Sequence, residues 1–85
     1  MVEHSIVIKT DLESTDITLF VQHLNHYSDS DIIIQKGVHR INAKSILGMY
    51  ALEIQKDETV NFVITGEEER IIETIDNFFN NMIER

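Results

Sequence analysis

Four histidines, at positions 4, 23, 26 and 39, and a serine at the head of a short apolar segment, Ser45, are the side chains here best equipped for chemistry. An imidazole carries a nitrogen that titrates near neutral pH, suited to proton transfer, nucleophilic attack or metal binding. His23 and His26 stand at i, i+3 of a helical pattern, a spacing that could bring two rings to one ion. No third ligand is apparent, so the pair reads as two residues on a polar helix face. His4 falls in a strand pattern and His39 in a hairpin, and neither needs a functional explanation. Ser45 opens a helical segment, where a serine hydroxyl caps a first-turn N–H. Cysteine is absent, which removes disulfides and thiolate zinc sites.

The elements that must position these residues follow from periodicity. Val2 to Lys9 alternates as a strand, with Val2, His4, Ile6 and Ile8 on one side. Ile17, Phe20, Val21 and Leu24 then fall at helical spacing, with Tyr27 closing the stripe and Ser14, Thr15 and Asp16 ahead of it as cap or first-turn residues. Ser28 to Asp31 reads as a loop. Ile32-Ile33-Ile34 is a β-branched strand, and Gly37 ahead of Val38 to Ile41 predicts a hairpin. Ser45 to about Leu52 reads as a short helix and Lys56-Asp57-Glu58 as a turn. Val60, Phe62 and Ile64 alternate as a last strand ended by Thr65-Gly66. A final helix is expected from Glu67 to Ile83, its stripe formed by Ile71, Ile75, Phe78 and Met82 and widened by Ile72, Phe79 and Ile83. Glu67, Glu68 and Glu69 sit where the helix dipole favours negative charge. The order β-α-β-β-α-β-α is buried most simply as an α+β open-faced sandwich, a four-stranded antiparallel sheet with three helices on one face.

Composition narrows the function classes. Eighty-five residues, 42% of them hydrophobic, are expected to form a single domain, residues 1–85. Fifteen acidic residues against seven basic ones leave a formal charge of −8, which argues against direct nucleic-acid binding. The acidic surface suits solubility and basic protein partners. No apolar run reaches about 18 residues and no export leader is evident, so a cytoplasmic protein that neither spans nor binds a membrane is expected.

The octet Asn42-Ala43-Lys44-Ser45-Ile46-Leu47-Gly48-Met49, followed by Leu52 and Lys56, closely resembles the regulatory-serine segment of HPr, the small phosphocarrier of the bacterial sugar phosphotransferase system. Thr18-Leu19-Phe20-Val21-Gln22, Tyr27 and Gly66 match further family anchors in the same order. The resemblance covers nearly the whole chain and implies the HPr-like fold. It breaks in the loop before the first helix. There the family carries a glycine, an aliphatic residue and His-Ala-Arg-Pro, whereas this chain reads Asp11-Leu12-Glu13-Ser14-Thr15-Asp16. By resemblance Glu13 takes the position of the phosphoryl-accepting histidine, Thr15 that of the arginine and Asp16 that of the proline. A carboxylate acceptor would form an acyl phosphate, an intermediate that needs neighbouring positive charge, and here a threonine and two acids surround it. No catalytic residue, cofactor or enzyme activity is therefore expected. HPr-like regulators of the Crh type likewise lack the histidine and keep the serine, although they retain the arginine.

The resemblance assigns Ser45 as a site of phosphorylation by HPr kinase/phosphorylase. A phosphate at a helix start adds nearly two negative charges where the dipole and free N–H groups tolerate them, and Lys44 beside it would offset part of that charge. Ile46, Leu47 and Met49, with Lys44 and Phe20, are expected to dock a protein regulator, by resemblance one of the LacI type. Glu13 reads either as a relic of a vacated site or as a partial, permanent imitation of a phosphorylated histidine. Three functions remain open: a serine-switched regulator in carbon catabolite control, a phosphocarrier with an atypical acceptor, and an interaction module that is never phosphorylated.

Overall fold

A computed structural model describes residues 1–82. The elements are β1 (Val2–Val7), α1 (Ser14–Leu24), β2 (Asp31–Lys36), β3 (His39–Asn42), α2 (Ile46–Ala51), β4 (Thr59–Thr65) and α3 (Glu68–Asn80). The strands form one antiparallel sheet in the order β1-β4-β2-β3. Alternation gives the sheet its two faces. Ile32 and Ile34 of β2 and Val60, Phe62 and Ile64 of β4 point to the same side and are buried. Opposite them in register lie Val2, His4 and Ile6 of β1. The helices cover this side. Phe20 of α1 meets Phe62 edge-on at 5.9 Å, and its ring lies 5.0 and 5.1 Å from Phe78 and Phe79 of α3. The open-faced sandwich read from the element order is the fold observed.

Several boundaries differ from the expectation, each for a local reason. β1 ends at Val7, not Lys9, because Ile8 turns its backbone to the 57–58 turn, donating to the Glu58 carbonyl at 2.8 Å and accepting from the Asp57 N–H at 2.7 Å. α1 stops at Leu24, and Tyr27 lies beyond it. Asn25 closes the helix by donating both its backbone N–H and its side-chain amide to the Val21 carbonyl. Tyr27 still packs against the core, its hydroxyl 2.7 Å from Thr74 Oγ1 on α3. α3 begins at Glu68, since Gly66 (φ +91°) and Glu67 (φ +49°) both adopt left-handed backbone. Gly66 is required twice over, because a Cβ there would also stand 3.0 Å from the Ser30 hydroxyl. α3 is observed to Asn80, and the expected contribution of Ile83 lies outside the described residues. None of the described helices is long and apolar enough to cross a membrane.

Candidate functional site

Ser45 is held by its neighbours on both sides. Asn42, the last residue of β3, accepts the Lys44 N–H on its side-chain oxygen at 2.9 Å and the Ser45 N–H on its carbonyl at 3.0 Å. This turn delivers Ser45 to the N-cap of α2 with extended backbone. Its Oγ accepts the Gly48 N–H at 3.1 Å, satisfying one of the donors that a helix start leaves without a partner. A Cβ on Gly48 would stand 3.3 Å from that hydroxyl oxygen and 3.0 Å from Ile41 Cδ1, so glycine leaves room for both. The hydroxyl is thus half-buried, with its backbone and its acceptor geometry fixed.

The side chains that follow divide sharply. Leu47 is 81% exposed, and Ile46 and Tyr50 are partly exposed beside it. Met49 is only 1% exposed and belongs to the core, as does Phe20. The expectation that Met49 and Phe20 dock a partner therefore fails for both. Facing inward, they lie among the residues that hold the helices to the sheet. Lys44 is also corrected. Its ammonium donates to the carbonyls of Tyr27 and Ser30 in the turn between α1 and β2, so the side chain is held there and is not free to reach a partner. The Lys44 carbonyl in turn accepts from the Asn25 amide at 3.2 Å.

On this face two further apolar side chains, Leu19 and Tyr50, are exposed without having been expected to dock a partner. Leu19 is about half exposed on α1, and Tyr50 projects from α2. The signal was present, since Leu19 is an apolar residue off the Ile17-Phe20-Val21-Leu24 stripe. Tyr50 also joins the two helices, its hydroxyl donating to the Ser14 carbonyl at 3.2 Å. The exposed side of α2 consequently adjoins the head of α1, where Glu13 and Thr15 are exposed. Glu13 is the N-cap of α1, and its N–H donates to the Asp16 carboxylate at 2.8 Å within a capping box. Asp16, expected as a first-turn residue, is buried. Thr18 donates to the Ser14 carbonyl at 3.0 Å. Residues 10–18 contain Asp11, Glu13 and Asp16 but no lysine, arginine or histidine.

The histidines lie apart from this face. His4 Nε2 stands 2.6 Å from Asp76 Oδ1 and ties β1 to α3. His23 and His26 are both exposed, and the His23 ring meets Phe78 edge-on at 5.9 Å. Among the described residues no group of three or more His, Cys, Asp or Glu side chains is placed to hold a metal ion.

A sheet of this order with three helices on one side, and a capping serine between β3 and a short helix, defines a class. The chain belongs to the HPr family, since the family's "PTS HPr component phosphorylation site" model matches residues 2–81. Among its relatives, the HPr-like protein Crh of Halalkalibacterium halodurans is 36% identical over 72 residues, which cover 82% of this chain and 84% of the relative. The HPr-C-His structure from Thermoanaerobacter tengcongensis superposes with a TM-score of 0.87 at 30% identity, covering 100% of this chain and 98% of the other. Crh of Bacillus subtilis, a catabolite-repression protein solved as a swapped dimer, superposes with a TM-score of 0.63 at 31% identity, covering 92% and 88%.

Proposed function

We propose that this chain is a non-catalytic HPr-like regulator in carbon catabolite control, switched by phosphorylation of Ser45 and read by a protein partner at the face formed by α2 and the head of α1. The observation that carries the reading is Ser45 itself: a hydroxyl fixed at a helix N-cap, two residues before Leu47, whose side chain is 81% exposed. In the switch, Ser45 Oγ attacks the γ-phosphorus of ATP, its proton passes to a base of HPr kinase/phosphorylase, and ADP leaves. The phosphate then takes over the cap, because its oxygens are stronger acceptors for the first-turn N–H groups than the hydroxyl they replace. The fold is retained while nearly two negative charges appear beside the exposed apolar residues. The relationship to the two Crh proteins supports a role in catabolite repression, with a LacI-type regulator as the partner by resemblance.

Glu13, at the position the family gives to its phosphoryl-accepting histidine, is not an acceptor in this reading. Its segment supplies no cation for a transferring phosphoryl group, and its carboxylate instead favours the positive end of α1. Incubation with HPr kinase and ATP, and separately with enzyme I and phosphoenolpyruvate, separates the functions. Label from the kinase that disappears in Ser45→Ala supports the switch. A labile phosphate from enzyme I that disappears in Glu13→Gln would establish a phosphocarrier instead. Label from neither, with partner binding unaffected by Ser45→Ala, would leave an interaction module.

A further inference from the structure

The charge of the docking face is one-sided in a way the overall composition does not require. The elements that form it, α1 (Ser14–Leu24) and α2 (Ile46–Ala51), contain no lysine or arginine, and Lys56 comes near only at the edge, where its N–H donates to Asp11 Oδ1 at 2.8 Å. Two of the cations elsewhere are paired with carboxylates, Lys36 with Glu58 at 3.2 Å and Arg70 with Glu67 at 3.1 Å, and the Lys44 ammonium is held on the carbonyls of Tyr27 and Ser30. At the head of α1 stand the exposed carboxylates Asp11 and Glu13. Next to them a shallow depression over Ser14, Thr15, Thr18 and Leu19 leads, through the Tyr50–Ser14 bond, to the exposed side of α2. Apolar anchors are therefore flanked by negative charge on one side, and phosphorylation of Ser45 would add more between them.

We infer that this face takes a basic amphipathic protein segment, one that sets leucine-like anchors against Leu19, Leu47 and Tyr50 and lysine or arginine against Glu13 and Asp11. The inference rests on the docking half of the reading above and is independent of whether Ser45 is phosphorylated. Its physical basis is complementarity. Apolar contact supplies most of the affinity, while opposite charge steers encounter and sets register, and like charge at such a rim is penalised. An acidic partner would meet carboxylates where an arginine would otherwise have paired with it.

The test uses the full chain, labelled with 15N, and a synthetic amphipathic helix of leucine and lysine, with the same peptide carrying glutamate for lysine as its counterpart. Amide shifts should concentrate at residues 11–19 and 45–51 with the lysine peptide and be absent with the glutamate one. Leu47→Ser should weaken binding by about tenfold, as loss of a central anchor does. Glu13→Lys should weaken it severalfold and flatten its salt dependence. Both side chains are exposed, and unchanged spectra away from the face verify folding. Shifts centred on Glu67, Glu68 and Glu69 at the head of α3 would show mere attraction to negative charge and overturn the inference. Equal binding of the glutamate peptide, or no binding, would do the same. Lysine-peptide binding at this face in a chain that the kinase does not label keeps the inference and removes the switch. A labelled chain that ignores the peptide does the reverse.

Discussion

The Lys44 ammonium donates to the Tyr27 carbonyl, and through this bond the side chain next to Ser45 is tied to the turn that follows α1. With the second bond to Ser30, the lysine closes the turn between α1 and β2 across the chain. Its main-chain groups are bonded on both sides as well, to Asn42 and Asn25. Position 44 is thus a structural joint beside the hydroxyl proposed as the switch.

Replacing Lys44 with methionine keeps the aliphatic stem but strands two carbonyls. Urea denaturation should show a loss of about 1.5–3 kcal/mol, the range for hydrogen bonds from a charged donor. Arginine should not restore the full value, because a planar fork does not reproduce a compact ammonium between two converging carbonyls. A loss below about 0.5 kcal/mol would mean that water replaces the lysine at no cost.

Phe20 and Leu47 make opposite predictions although both are large and apolar. Phe20→Ala empties the centre of an aromatic cluster with Phe62, Phe78 and Phe79 and should cost about 3–5 kcal/mol. Leu47→Ala removes a side chain that is mostly in water and should change stability by no more than about 0.5 kcal/mol. Thermal or urea unfolding of the two variants tests the division of core from surface directly.

That division marks the limit of what was legible in the chain. Strand alternation in Val60-Phe62-Ile64 and the helical rhythm from Ile17 to Leu24 were sufficient to order the elements along the chain, whereas the strand order β1-β4-β2-β3 has no local signal. The same rhythm already placed Phe20 inward, so the family likeness that put it on a docking face ran against the local pattern. For Ile46, Leu47 and Met49 no local pattern could decide, because α2 is only six residues long and its rotation is set by what it packs against. The Ser45 cap was readable because capping is local. The Lys44 staple spans seventeen and fourteen residues of sequence and has no local signal. The early end of α1 was written in Asn25, a side chain able to bond back to the helix it terminates.

Glu68 supplies a pH dependence. The Gly66 N–H, 2.6 Å from its carboxylate, holds its pKa below the ordinary value of 4.5. The folded state therefore prefers the ionised acid more strongly than the unfolded state does. Stability from this bond is fully present above pH 4.5 and is lost as the pH falls through the lower, folded value. In urea titrations, the deficit of Glu68→Gln relative to the parent should be largest above pH 4.5 and shrink on acidification. A deficit independent of pH would show that the charge contributes nothing.

The most direct measurement is the intact mass and fragment spectrum of the chain after incubation with HPr kinase and ATP. One added phosphate is expected, located on Ser45 by fragmentation and absent from Ser45→Ala. An unmodified mass under conditions in which HPr itself is phosphorylated, or a phosphate placed on any residue other than Ser45, would contradict it.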